Sequence, residues 1–200
     1  MKLINGRLPT LAVSLTLALA AVAIAPSAIA QPGGAAPVSM EKPVVVGGAA
    51  MYPSRNIIQN AVHSKDHTTL VAAVKAAGLV DTLSGKGPFT VFAPTNEAFA
   101  RLPAGAVANL LKPENKATLT KVLTYHVVPG ALTAHDLAMA VNNGGGKAKL
   151  KTVEGDQITV SKDGDRWAIT DDQGNVAHVT IGDVIQSNGV IHVIDRVLMP

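Results

Sequence analysis

The residues of this chain best suited to acid–base or metal chemistry are its six histidines. His63 and His67 stand four residues apart, a spacing that places two imidazoles on one face of a helix and that zinc sites use. Ser64 and Asp66 lie between them, however, and these residue types break or cap a helix. We therefore expect the two rings to lie on different elements, exposed at the surface, and we predict no metal or other cofactor.

Two further histidines belong to apolar patterns. His126 follows Tyr125 on the apolar face of a predicted helix that Pro129 ends. His192 alternates with aliphatic residues in a predicted strand. A histidine in such a place is more often a core residue with both nitrogens hydrogen-bonded than a general base. We predict structural roles for both.

Two patterns that resemble catalytic or phosphate-binding sites are incomplete. The residue types of a hydrolase triad are present in Ser161, Ser187, His178 and Asp183. They lack the Gly-x-Ser-x-Gly elbow, and a triad depends on three-dimensional geometry. The triple glycine at 144–146 lacks the Lys-Ser/Thr that follows in a phosphate-binding loop, which favours a flexible loop. We predict that the protein is not an enzyme.

Charge and cysteine content exclude several classes of protein. The chain of 200 residues carries 17 Lys and Arg against 14 Asp and Glu, and two of the basic residues, Lys2 and Arg7, lie at the N-terminus. The remainder is nearly neutral and only 3% of the chain is aromatic, so we predict no nucleic-acid partner. The absence of cysteine excludes disulfides, thiolate metal sites and a lipidated cysteine. A domain of about 150 residues can be stable by core burial alone.

The N-terminus has the pattern of a secretory signal peptide. A basic segment precedes the apolar run at 8–25, and Ala28 and Ala30 occupy the small-residue positions of a cleavage site. A membrane anchor is the alternative, but prolines interrupt the run, and about 18 residues is the short limit for crossing a bilayer. We predict that residues 1–30 are removed, that the mature protein has no membrane span, and that it is secreted or periplasmic.

The rest of the chain changes its period once. Residues 31–51 are rich in Pro, Gly and Ala and predict a flexible leader. The pattern over 53–125 is mostly helical, including an apolar face across 70–77 for which Asp66 is the predicted cap. Beyond the turn at 142–146 the period becomes two, with Ala148, Leu150 and Thr152 alternating with lysines. Helices followed by clustered antiparallel strands indicate one α+β domain.

Three stretches give a more specific identification: GPFTVFAPTNEAFARLP from Gly87, VLTYHVVPGAL from Val122, and NGVIHVIDRVLMP from Asn188. In this order they resemble the fasciclin (FAS1) domain, and the likeness covers 52–200. The resemblance implies a single wedge-shaped β-sandwich flanked by helices. The residues that carry it, all expected to be structural, are Thr90, Phe92, Ala93, Pro94, Thr95, Asn96, Phe99, Tyr125, His126, Asn188, Gly189, His192 and Val193.

The junction in the first stretch is predicted to be scaffold. Apolar side chains precede Pro94, which is expected to stop the strand, and Thr95 or Asn96 can cap the following helix through a side-chain oxygen. Phe99 then supplies apolar surface on that helix.

One pair of residues is a candidate partner contact. In animal members of the family, an Asp-Ile pair before the terminal stretch is associated with integrin recognition, and Asp183 and Val184 stand at the matching positions here. Val replaces Ile, so the match is partial. The alternative is a turn aspartate followed by an inward-facing valine.

The resemblance implies a class of secreted or cell-surface proteins that make adhesion, matrix or partner contacts. The whole chain is similar to small single-domain bacterial members. We therefore expect a noncatalytic interaction or adhesion module that binds a protein or matrix partner. The alternative is a carrier of a small apolar ligand such as a lipid or carotenoid, although the low aromatic content weakens the case for a pigment groove.

Overall fold

The computed structural model describes residues 42–200. The predicted signal peptide, its cleavage residues Ala28 and Ala30, and the first part of the predicted leader lie outside the described residues. The helices are α1 (Ile57–Ala61), α2 (Thr68–Ala77), α3 (Val80–Ser84), α4 (Asn96–Ala100), α5 (Ala106–Leu110), α6 (Lys116–Tyr125) and α7 (Ala134–Asn143), with 3₁₀ turns at Lys65–His67 and Pro113–Asn115. The strands are β1 (Val44–Val46), β2 (Ala49–Met51), β3 (Phe89–Pro94), β4 (Val127–Pro129), β5 (Lys147–Lys151), β6 (Gln157–Asp163), β7 (Arg166–Thr170), β8 (Val176–Gln186) and β9 (Gly189–Ile194). Within this part of the chain, no helix combines the length and apolarity that crossing a bilayer requires.

Strands β3 to β9 form one seven-stranded sheet in the order β4-β3-β9-β8-β7-β6-β5. Neighbouring strands are antiparallel except for β3 and β9, which pair in parallel. The register between β8 and β9 shifts between Val179 and Val184, so β8 is bulged where it passes from β7 to β9. The ends of the sheet approach each other, since the Val153 N–H donates to the Val127 carbonyl at 2.8 Å. The α+β prediction is confirmed, whereas the parallel pair was not predicted.

Two apolar clusters hold the helices on the sheet. The first joins α2 and α6 to the central strands through residues such as Leu70, Leu123 and Val193. The second contains Phe92 of β3 and Ile158 of β6, which belong to distant parts of the sheet order. The sheet therefore curls around this second cluster. Both clusters consist of residues with less than a tenth of their surface exposed. Burial of this apolar surface is the main stabilising term of a domain without disulfides.

Part of the predicted flexible leader belongs to the fold. Residues 44–51 form the β1–β2 hairpin, although the sequence predicted a leader over 31–51. Val46 and Met51 are each only 2% exposed and join the first core cluster. A Gly-Gly turn connects the strands, but three residues on each side are too few to show an alternating pattern.

The N-terminus of α2 is capped by another helix and not, as predicted, by Asp66. The Asn96 Oδ1 accepts the Thr69 N–H at 3.0 Å, while its Nδ2 donates to the Lys65 carbonyl at 2.8 Å. Thr95 is the residue that caps α4 with its side chain. The two candidate caps of the first stretch thus have different partners, since Thr95 starts α4 and Asn96 ties α4 to α2.

Candidate functional site

His126 links the end of α6 to the C-terminal segment. Its Nδ1 donates to the Val122 carbonyl at 2.7 Å, and its Nε2 accepts the Leu198 N–H at 3.0 Å. One nitrogen donates and the other accepts, so the ring is neutral. Burial lowers the pKa of His126 to about 4. Both nitrogens are engaged inside the protein, and neither is available to a substrate.

Tyr125, the other half of the pair, is fully buried and also bonds within the domain. Its hydroxyl donates to the Gln157 carbonyl and accepts the Asp172 N–H, both at 3.1 Å. Burial raises the pKa of Tyr125 to about 12, so the phenol stays protonated at neutral pH. The side chain therefore connects α6 with β6 and with the turn after β7.

Asn188 of the third stretch connects three segments that are distant in sequence. Its Oδ1 accepts the Ile57 N–H at 3.0 Å, and its Nδ2 donates to the Leu83 carbonyl at 2.8 Å and to a second carbonyl in the same turn. The next residue must be small, because a Cβ on Gly189 would lie 1.9 Å from the Phe89 carbonyl oxygen. The Asn-Gly pair thus brings β9 against β3 while fixing α1 and the end of α3.

Thr90 and His192 hold the loop that leads into α7. The Thr90 hydroxyl accepts the Leu132 N–H at 2.8 Å and donates to the Gly130 carbonyl at 2.6 Å. The His192 Nε2 donates to the Leu132 carbonyl at 2.8 Å, and its Nδ1 accepts the Asp183 N–H at 3.4 Å. Burial lowers the pKa of His192, which keeps this ring neutral as well. The two side chains therefore position the loop against the bulge of β8.

Asp183, the candidate contact, lies in that bulge with a φ of 54°, a left-handed conformation uncommon for a non-glycine residue. Its Oδ1 accepts the N–H of Ala134, the first residue of α7, at 2.6 Å. Thr133 and Asp136 complete the helix start as a capping box, although α7 itself was not predicted. The Asp183 side chain remains exposed, whereas Val184 is only 1% exposed and points into the core. This geometry agrees with the alternative of a turn aspartate and an inward valine.

The histidine pair differs from its prediction in one respect. His63 is exposed, but His67 is 3% exposed and lies in a 3₁₀ turn under the β1–β2 hairpin. Its Nδ1 is 2.9 Å from the Ser64 hydroxyl, and its Nε2 has no hydrogen-bond partner among the described residues. Burial lowers the pKa of His67, because the apolar residues around it disfavour a charge. No group of three or more metal-binding side chains occurs between residues 42 and 200.

The triad residue types are not brought together. The His178 Nε2 lies 3.0 Å from Oδ2 of Asp163, and its Nδ1 lies 3.8 Å from Oδ2 of Asp195. Ser161 is two strands away in the sheet register, and the Asp183 carboxylate caps α7. His178 therefore contacts carboxylates on both sides and no serine nucleophile.

Comparison with known proteins identifies the family. The family model described as the Fasciclin domain matches residues 65–200. Protein sll1483 of Synechocystis sp. is 48% identical over 161 residues, which cover 80% of this chain and 82% of that protein. Immunogenic protein MPT70 of Mycobacterium tuberculosis is 35% identical over 195 residues, which cover 92% of this chain and 91% of that protein.

A solved structure shows the same fold. The FAS1 domain pair of the insect cell adhesion molecule fasciclin I matches with a TM-score of 0.67 at 21% identity, over 74% of this chain and 52% of that one. The chain thus spans about half of that structure, and at this identity the likeness concerns the fold. The resemblance of the three stretches is confirmed, and the chain belongs to the fasciclin domain family.

Proposed function

We propose that the protein is a noncatalytic interaction or adhesion module that binds a protein or matrix partner outside the cytoplasm. The observation that carries this proposal is the use of the signature polar groups within the fold. Tyr125, His126, Asn188 and His192 direct their side-chain hydrogen bonds to backbone groups of the same domain. Side chains that are hydrogen-bonded within the domain stabilise its fold, so a partner would be recognised by other residues on the surface.

Further support comes from the environment of the titratable groups and from the family. The histidines with lowered pKa values are buried, and each has that shift because of burial and not because of an adjacent nucleophile. Fasciclin I, whose domain pair has the same fold, is a cell adhesion molecule. We extend that role to this chain, with export by cleavage after Ala30 into the periplasm or the medium.

The alternative function, a carrier of a lipid or carotenoid, has less support. The apolar cavities beside His67 and His126 measure about 20 and 30 Å³. Cavities of this size hold about one or two water molecules, whereas sites for drug-sized ligands occupy roughly 300–1,000 Å³. A hollow of about 390 Å³ beside Trp167 reaches that range, but it is an open surface depression whose lining includes Asp165, Arg166 and Thr180, which does not suit an apolar ligand. An absorbance spectrum and lipid extraction of the protein purified from its own cells test this alternative directly.

The adhesion proposal is tested by binding of the labelled mature protein to intact producing cells and to their isolated envelope. We expect saturable binding that excess unlabelled protein displaces and that an unrelated exported domain of similar charge does not. Non-saturable or undisplaced binding would contradict the proposal. A bound pigment or lipid in stoichiometric amount, without cell binding, would favour the carrier.

A further inference from the structure

Three lysines occupy one face of β5. Lys147, Lys149 and Lys151 are all exposed, while the alternating residues Ala148 and Leu150 face the second core cluster. Alternate residues of a strand point to the same side and repeat every ~7 Å. The ammonium groups therefore form a row along the outside of the sheet.

The row continues as a polar surface onto β6 and, at Thr170, onto β7, where the residue opposite Ser161 is the buried Ala168. In the antiparallel register, Lys147, Lys149 and Lys151 stand opposite Ser161, Thr159 and Gln157 of β6, and Thr159 in turn stands opposite Thr170 of β7. The intervening residues of β6 are fully buried, so these hydroxyl and amide groups share the outward side with the lysines. We call this surface the lysine face, defined by Lys147, Lys149, Lys151, Gln157, Thr159, Ser161 and Thr170.

The positive charge of the lysine face is not neutralised within the domain. None of its three lysines forms an ion pair among residues 42–200, whereas Lys121 pairs with both Glu154 and Asp156. Asp163, at the end of β6 on the same side, already contacts His178 at 3.0 Å. Since the chain outside its N-terminus is nearly neutral, the lysine face is a local concentration of positive charge.

The chemistry of the lysine face selects one class of ligand. It contains no aromatic side chain, so it offers nothing on which a base can stack, and it lacks the Trp, Tyr and Arg anchors that dominate protein interfaces. Ammonium groups in a row attract a polymer of carboxylates or sulfates, and adjacent hydroxyl and amide groups can hydrogen-bond to sugar hydroxyls. We propose that the lysine face binds an acidic polysaccharide. The inference rests on the proposed adhesion function and names its partner class.

The test uses the full mature protein with alginate as a carboxylated probe, heparin as a sulfated probe and dextran as an uncharged control. Binding is measured by calorimetry at low and physiological salt. Each lysine near an anionic surface contributes roughly a fivefold factor, so the triple substitution Lys147→Gln, Lys149→Gln and Lys151→Gln should weaken binding on the order of a hundredfold. The matched variant Lys75→Gln, Lys86→Gln and Lys116→Gln removes the same charge from exposed positions elsewhere and should change affinity by less than about threefold.

Each outcome decides the proposal. Stronger binding of alginate or of heparin identifies a carboxylated or a sulfated polymer, and both support it. Equal losses in the two triple variants would mean nonspecific charge attraction and overturn it, as would wild-type protein that binds neither probe. Self-association of the β5 variant with unchanged probe binding would mean that the lysines only protect an edge strand, which also overturns it.

The same variants distinguish this inference from the adhesion function. Cell binding that survives in the β5 variant refutes the acidic polysaccharide as the partner for adhesion and leaves adhesion to another surface. Absence of cell binding in the wild type, with probe binding intact, refutes the adhesion function alone.

Discussion

Replacing His126 by alanine should lower the free energy of unfolding by about 3–5 kcal/mol. The truncation leaves the buried Leu198 N–H and the Val122 carbonyl without their ring partners. Each unsatisfied buried group costs about 1–3 kcal/mol. The lost ring also enlarges a neighbouring apolar cavity of about 30 Å³, which adds a packing term. The expected loss is a large share of the roughly 5–15 kcal/mol that stabilises a typical domain.

The measurement is urea unfolding at pH 7 followed by the fluorescence of Trp167, the single tryptophan of the chain and a buried one. The matched control is His63→Ala, which removes an exposed imidazole and should change the free energy of unfolding by no more than about 0.5 kcal/mol. Comparing the two variants separates the loss of buried hydrogen bonds from the loss of a histidine as such.

The same ring predicts how stability depends on pH. Burial lowers the pKa of His126 to about 4 in the folded protein, from an ordinary value of 6.5. Between these values the unfolded chain binds the proton and the folded chain does not, so stability is full above pH 6.5 and falls as the pH falls towards 4. The loss for this ring alone is about 3 kcal/mol. His67 and His192, whose pKa values are also lowered by burial, act in the same direction.

His126→Ala should therefore be less stable at pH 7 and also less sensitive to acid than the wild type. Wild-type stability at pH 7 in the variant would refute the hydrogen-bond argument. An unchanged acid sensitivity in the variant would show that other groups titrate instead, and would refute the assignment of a buried neutral ring.

Five other outcomes are expected, the last of them from the N-terminal sequence and not from the structure. Asn188→Ala should cost about 2–4 kcal/mol in urea unfolding, because it leaves buried backbone groups of two helices unpaired. Asp183→Ala should lower the melting temperature, because it removes about 1 kcal/mol of capping at Ala134. Val184→Ala should lower the free energy of unfolding by about 1–3 kcal/mol, because it leaves a cavity in the core. If Asp183→Ala instead loses partner binding at unchanged stability, Asp183 is a contact residue. A chelator should leave the melting temperature unchanged, because residues 42–200 contain no group of three or more metal-binding side chains. A drop in the melting temperature would reveal a bound metal. N-terminal sequencing of protein from the exporting cell should begin near Gln31, and retention of Met1 would contradict the cleavage prediction.

The candidate site was only partly accessible from the sequence. The types and apolar settings of His126 and His192 indicated buried rings, because a periodic pattern shows which face of an element is inward. It did not show their partners, since the amide that bonds to His126 is 72 residues away along the chain. For His67 the neighbours in sequence are polar, and its burial arises from segments distant in the chain, because the β1–β2 hairpin and strands β3, β8 and β9 line the same cavity.

The sequence by itself determined the elements with a clear period and the family. Apolar residues recur every 3.6 residues over 70–77 and every two residues over 147–151. These periods are set by the local geometry of a helix and of a strand, so the sequence alone reveals them. Three ordered stretches specified the fasciclin domain.

Tertiary structure alone decided which residue does which task. Asn96 and not Asp66 caps α2, because a cap needs an oxygen placed at the helix end and the packing of α4 supplies it. Asp183 supports α7 from 49 residues away, because the bulge of β8 turns its carboxylate towards Ala134. Hydrogen bonds reach about 3 Å in space and have no fixed range in sequence, so these assignments exist only once the chain has folded.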